Sequence, residues 1–273
     1  MSAGVDAAFD LPALNAALAG TRFQDKLHFF PNIPSTNTHA MAEAEAGVPE
    51  GCVYFADEQI SGRGRGAHNW SSPPGSGLYV SVLLRPAIAP ADALWLSLAA
   101  GLAVREAVRQ VTSLECDLRW PNDLLLGGKK FCGILTELNA EVTRVRHLVI
   151  GVGINVHQSS FPGELREVAT SLHIETGRDW PRLELLVALL QSLDGEISAL
   201  TAPGNLAKAT AGILDRLERA SSWVRGKRVY VDEMEGYAGV TEGLDSRGFL
   251  RVRSADGLHT VFSGGVREQK SIR

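Results

Sequence analysis

Apolar residues recur along this chain with two different periods, and the switches between them mark its elements. Asp10 and Pro12 open a short helix over 11–18 that Gly20 stops, because aspartate accepts a backbone N–H at a helix start and proline is pre-shaped for the first turn. A strand over 27–30 follows, then a helix capped by Ser35 or Thr36 and ended at Gly47. The runs 52–56 and 78–84 predict strands entering and leaving a loop rich in glycine and arginine. A helix over 91–111 carries the most apolar stretch, 93–104, which runs into Arg105 and Glu106. A bilayer span needs about 20 apolar residues, so this stretch predicts a buried helix and no membrane segment. Strands follow near 118–120, 124–126, 131–137 and 147–156, and helical periodicity returns over 183–200 and 206–217.

After Trp223 the texture changes. The segments 226–231, 236–244, 249–252 and 260–262 alternate apolar and polar positions between glycine turns. Short strands at this spacing within about fifty residues predict a small barrel or sandwich. The division expected is therefore 1–222 and 223–273, with the second unit docked, since no low-complexity linker separates them.

Composition narrows the class. Of 273 residues 45% are hydrophobic and 21% charged, as in globular proteins, and a net charge of −4 argues against a surface that coats nucleic acid. Cys52, Cys116 and Cys132 are odd in number and lack metal spacing, which suggests a reduced, cytoplasmic setting. Asp6 and Asp10 stand where a signal peptide would be basic. The seven histidines form no metal-spaced pair, and neither a Gly-x-Ser-x-Gly elbow nor a P-loop is present. Gly151-Val152-Gly153 lacks the third glycine of a dinucleotide fingerprint.

Two stretches carry chemistry. In Gly62-Arg63-Gly64-Arg65-Gly66, closed by Trp70, glycines alternate with planar, permanently charged forks suited to carboxylate or phosphate. Such a loop is expected to be mobile when empty and to close over an anion. In Arg119-Trp120-Pro121-Asn122-Asp123, two apolar runs flank the Gly127-Gly128 turn, and Lys129 and Lys130 open the returning strand. Strand side chains alternate, so only one of the two lysines can face inward, beside Asp123.

Taken in order, these motifs with Ser35-Thr36-Asn37, Gly133-Ile134-Leu135…Glu137 and Ile150-Gly151-Val152-Gly153-Ile154-Asn155 resemble the biotin–protein ligases, over roughly 35–156. The resemblance implies an α+β fold: a mixed β-sheet flanked by helices, like class II aminoacyl-tRNA synthetases and the biotin–lipoate ligases, with a small C-terminal SH3-like β-barrel. The form lacking an amino-terminal DNA-binding domain is expected, with no nucleic-acid partner. The implied reaction is ATP-dependent activation of biotin to biotinyl-5′-adenylate, then transfer to one lysine of a biotin carboxyl carrier protein. Magnesium would arrive with the ATP phosphates, without a dedicated protein cluster.

By the same resemblance Lys130, Arg65 and Asp123 are the catalytic residues. Ser35, Thr36, Asn37, Gln59, Arg63, Gly64, Arg65, Lys130 and Gly133 would bind biotin. Arg63, Arg65, Trp70, Asn122, Lys130 and Asn155 would bind ATP or the adenylate. Ser35 or Thr36 could equally serve as a helix cap and Trp70 as a core anchor, whereas Trp120 reads as core. Gly133 with Gly151 or Gly153 would leave room on the strand floor for the fused rings of biotin. His68 stands where relatives carry a basic residue, Arg119 replaces their lysine, and Ser263-Gly264-Gly265-Val266 keeps only part of their ending. A lipoate ligase and a protein that sequesters biotinyl-adenylate are the alternatives, and the oligomeric state is left open, a homodimer included.

Overall fold

The alternation of large apolar side chains along the central strands sends them to two faces, and both faces are covered by helices. The computed structural model describes residues 9–269 apart from Ala67, Met234, Ser263 and Gly264. Asp6 and the Ser263-Gly264 part of the carboxyl-terminal motif lie outside the described residues. The first half of the chain forms helix α1 (Leu11–Ala17), strand β1 (Leu27–Ile33), α2 (Thr36–Glu45), β2 (Val53–Gln59), β3 (Gly77–Leu84) and α3 (Ala93–Thr112). Strands β4 (Asp117–Arg119), β5 (Asp123–Leu126), β6 (Lys129–Ala140) and β7 (Val145–Asn155) follow, then helices α4 (Leu165–Val168), α5 (Leu172–Thr176), α6 (Arg182–Thr201) and α7 (Leu206–Ala220). The chain continues with β8 (Arg225–Asp232), β9 (Tyr237–Leu244), β10 (Leu250–Ser254), β11 (Gly257–Val261) and β12 (Gly265–Glu268).

The first seven strands make one sheet in the order β1-β2-β3-β7-β6-β5-β4, parallel only between β1 and β2. This is the expected mixed sheet. Val53 and Phe55 of β2, Val80, Val82 and Leu84 of β3, and Ile150, Val152 and Ile154 of β7 join α3 and α6 in the main core. The alternate positions Tyr54, Leu83 and Val149 point the other way, under Ala40 and Ala44 of α2. Helix α2 has only ten residues and covers one part of that second face. The neighbouring part carries glycines, Gly151 and Gly153 on β7 and Gly133 on β6, so the strands themselves raise no side chain there.

Several boundaries differ from the sequence reading for local reasons. Strand β6 reaches Ala140, beyond the expected end at residue 137, because Leu138 and Asn139 stay paired with Leu148 and His147 of β7. Helices α4 and α5 have four and five residues, too few for a helical period to repeat. Even so, α5 has a complete cap, with Ser171 accepting from the Ile174 amide at 3.0 Å and Gly177 in the left-handed region. Strand β12, four residues long, had no counterpart in the sequence reading.

The last five strands form a separate antiparallel sheet, β11-β10-β9-β8-β12, an order that fits an SH3-like module. Strand β11 pairs with β10 and β12 with β8, but β11 and β12 do not pair with each other among the described residues. The barrel expected from the sequence is therefore an open, bulged sheet, its register shifting on both sides of β9.

This sheet is seated on the first by specific contacts. Buried Trp120 donates its indole N–H to the Gly248 carbonyl at 2.9 Å, and the Ser222 amide donates to Asp117 at 2.8 Å. Gly248 has φ +86°, and a Cβ there would stand 2.9 Å from Leu98 Cδ1. Only glycine meets both demands. Gly248→Ala is expected to destabilise the protein by about 2–4 kcal/mol through left-handed strain and overpacking. A urea midpoint equal to wild type would show that the two sheets are not held at this point.

Candidate adenylation and acyl-transfer site

The bare glycine strip is the floor of a pocket. Gly133 and Gly153 are direct partners across β6 and β7, and Gly151 pairs with Leu135. A Cβ on Gly151 would lie 2.0 Å from Asn37 Oδ1, and one on Gly153 would lie 2.5 Å from Trp70 Nε1. No side chain fits at either position. The space above the floor is about 450 Å³ including its mouth, and Ser35, Thr36, Asn37, Gln59, Trp70 and Lys130 are among the residues lining it.

One wall is neutral and fully engaged. Ser35 accepts the Thr38 amide as the cap of α2, at 3.4 Å, and Thr36 follows in the first turn, so capping and lining the pocket are compatible for this pair. Gln59 Oε1 accepts from the Thr36 amide at 2.9 Å and from its hydroxyl at 3.0 Å, while Gln59 Nε2 donates to Ser72 at 2.9 Å. The buried Ser81 hydroxyl lies 2.8 Å from Thr36 Oγ1 and 2.6 Å from Asn37 Oδ1. Asn37 Nδ2 donates to Glu137 at 3.0 Å. A polar network with its members satisfied in this way holds its shape.

The glycine–arginine loop closes the mouth as a narrow antiparallel ribbon. Gln59 bridges Ser72, Arg63 bridges Asn69, and the Trp70 amide donates to the Gly62 carbonyl at 2.9 Å. Gly62 is required there, because a Cβ would lie 2.4 Å from the Trp70 carbonyl. Arg63 makes a two-pronged pair with Glu137 at 2.8 and 3.1 Å. Arg65 donates to Asn122 Oδ1 at 3.1 Å, and Asn122 Nδ2 donates to the Ile134 carbonyl at 2.7 Å. His68 is exposed.

The other wall is charged. Lys130 Nζ lies 2.6 Å from Asp123 Oδ1 and 5.3 Å from the centre of the Trp70 ring. Its neighbour Lys129 points outward and donates to the Arg166 carbonyl at 3.0 Å. Burial by itself would raise the Asp123 carboxyl, but the Lys130 and Arg119 cations outweigh it and hold the group below the usual carboxylate range. Asp123 is therefore a carboxylate at neutral pH. The Trp70 indole approaches Gly133 and Gly153 closely, half-buried, with its N–H lacking a hydrogen-bond partner. Trp120, by contrast, sits in the main core.

The structure thus gathers Ser35, Thr36, Asn37, Gln59, Arg63, Gly64, Arg65, Trp70, Asn122, Lys130 and Gly133 around one cavity, with Asp123 directly behind Lys130. Asn155 stands apart, since its amide is used by the Thr170 carbonyl at 3.0 Å and by Gln158 at 3.2 Å. Ser81 and Glu137 escaped the sequence reading as site residues. Ser81 had a signal, as the polar position inside the apolar run of β3. Among the described residues no group of three or more His, Cys, Asp or Glu side chains is placed to hold a metal ion, and no helix is long and apolar enough to cross a membrane.

The chain is similar to known proteins over most of its length. The model of the biotin/lipoate A/B protein ligase family matches residues 29–155. The bifunctional ligase/repressor BirA of Bacillus spizizenii is 33% identical over 237 residues, covering 86% of this chain and 71% of that protein. The biotin–[acetyl-CoA-carboxylase] ligase of Mycobacterium tuberculosis is 34% identical over 239 residues, covering 85% and 84%. A solved structure of biotin protein ligase from Aquifex aeolicus in complex with biotin and ATP superposes with a TM-score of 0.76 at 29% identity, over 90% of this chain and 100% of that one. The chain belongs to the biotin protein ligases of this family.

Proposed function

We propose that this protein activates biotin with ATP as biotinyl-5′-adenylate and transfers the biotinyl group to a lysine of a biotin carboxyl carrier protein. The observation that carries this reading is the joining of two chemistries over one glycine floor. Hydroxyls and amides (Ser35, Thr36, Gln59) match a flat, neutral ureido group, and three cations (Arg63, Arg65, Lys130) match a carboxylate meeting a phosphate.

In the first step a carboxylate oxygen of biotin bonds to the α-phosphorus of ATP, and the bond to pyrophosphate breaks. Two anions approach each other, so cations fixed in advance at the point of approach lower the barrier. Lys130, held by Asp123, and Arg65, held by Asn122, are pre-positioned for this task. In the second step the acceptor amine attacks the acyl carbon, AMP leaves, and the amine gives up a proton. The Asp123 carboxylate is the group proposed to orient that amine. Trp70, which approaches Gly133 and Gly153, is proposed to serve the adenine end, whereas the Asn155 amide is already engaged with Thr170 and Gln158. The loop over the mouth shields the mixed anhydride from water.

Magnesium supplies positive charge on the triphosphate when bound. Asp123 and Glu137, the pocket's carboxylates, are already paired with cations, so the residues present do not form a metal cradle of their own and the phosphates would carry the ion. Residues 1–222 are proposed as the catalytic unit and 223–273 as the SH3-like one. Three buried thiols, Cys52, Cys116 and Cys132, suit a reducing cytoplasm.

Exchange of isotope between ATP and pyrophosphate tests the reading. Exchange that requires biotin is expected, and exchange supported by lipoate instead would replace it with the lipoate reading. Lys130→Ala is expected to lower biotin-dependent exchange by roughly 10²–10³-fold while biotin binding persists. Sensitivity at Lys129 in its place would refute the assignment. Gly151→Ala should abolish biotin binding in calorimetry, because the added methyl meets an Asn37 amide already fixed by Ser81 and Glu137.

A further inference from the structure

A line of paired charges leaves the pocket and enters the C-terminal sheet. Asp123 Oδ1 holds Lys130, and Asp123 Oδ2 accepts from Arg119 Nη2 at 2.6 Å and Nε at 3.2 Å. The Arg119 guanidinium in turn lies 5.3 Å from the centre of the Trp223 ring. Lys227 Nζ approaches the same indole at 4.9 Å and pairs with Glu268 of β12 at 2.7 Å. Trp223 is 5% exposed, and its amide donates to the Ser221 hydroxyl at 3.1 Å.

Arg119 needs such a partner. It sits on β4, a three-residue edge strand, directly opposite Asp123, and its side chain is a quarter exposed. An arginine at such a place has many rotamers, and an ion pair alone rarely selects one. An aromatic face restricts the planar guanidinium and attracts it.

We propose that Trp223 and Arg119 form a positioning element for the reaction. The indole fixes the guanidinium, the guanidinium occupies Asp123 Oδ2, and Oδ1 is thereby left aimed at Lys130. Seating of the C-terminal sheet is then coupled to the charge and orientation of the carboxylate behind the reacting groups. The inference rests on the ligase reading for its consequence in catalysis, but not for the link itself. The ionisable groups facing Asp123 are Lys130 and Cys132 of β6 and Arg119 of β4, and burial pushes the Cys132 thiol well above its usual range.

The test compares Trp223→Leu, Trp223→Phe, Arg119→Gln and the Trp223→Leu/Arg119→Gln double variant in the full chain. Asp123 is titrated through its carboxyl carbon by NMR, and kcat and KM are read from biotin-dependent pyrophosphate exchange. Loosening the Arg119 cation in Trp223→Leu, or removing it in Arg119→Gln, should move the Asp123 midpoint upward. It should lower kcat roughly three- to tenfold in each, with little change in KM for biotin. Trp223→Phe keeps an aromatic face and should recover most of the loss, and the double variant should be no worse than the more affected single one. An Asp123 midpoint unmoved in Trp223→Leu, or losses that simply add in the double variant, would overturn the proposal. Should Trp223→Leu not fold, Arg119→Gln at its edge position decides, and an unmoved Asp123 midpoint there overturns it equally. Absence of biotin-dependent exchange in the wild type would remove the ligase reading, yet the titration would still judge the link.

Discussion

The Asp123–Lys130 ion pair is the interaction around which the site is arranged. Asp123 is 14% exposed and Lys130 29%, so both charges are largely withdrawn from water. Withdrawing an ion costs several kcal/mol even in a relaxed protein, and a single partner rarely offsets that. The β4–β5–β6 segment supplies what else is needed. Arg119 shares the carboxylate from the opposite strand, and the Ile134 amide donates to the Asn122 carbonyl at 2.9 Å, tying the turn before Asp123 to the strand of Lys130. A lysine held in place ahead of the reaction is what the joining of two anions requires.

The second constraint is geometric. Flat ligands can lie on a β-sheet only where side chains are missing, and here the missing side chains come from Gly133, Gly151 and Gly153 on two adjacent strands. The cost is local looseness, since glycine packs nothing. The network from Thr36 through Ser81 and Asn37 to Glu137 restores rigidity beside the floor. Glu137 also receives Arg63, so the loop at the mouth is tied to the same framework that shapes the neutral wall.

Much of the architecture was legible in the sequence because its signals are local. Long helices such as α3 and α6 repeat their period several times, and the strands β3 and β7 are long apolar runs. The family motifs pointed to residues most of which the fold brings around one cavity, with Asp123 behind Lys130 and Asn155 apart. Short elements were lost for the same reason: α4, α5 and β12 end before any period can repeat.

What the sequence by itself determined is the set of elements, their approximate bounds, the chemistry available in each motif and the family. The tertiary structure alone decided which groups meet. Counting alternation showed that one lysine faces inward and the family resemblance named Lys130; the pairing supplies the physical reason, since the register shifts between Leu124 and Leu125 so that Cys132 and Lys130 oppose consecutive residues of β5. Asn37 reaches Glu137 across 100 residues, and Trp120 reaches Gly248 across 128. The approach of Arg119 on β4 to Trp223, just ahead of β8, likewise links elements far apart in the chain. Periodicity is set by each residue's own backbone and immediate neighbours, whereas these contacts depend on how whole sheets pack, and no local pattern in the chain encodes that distance.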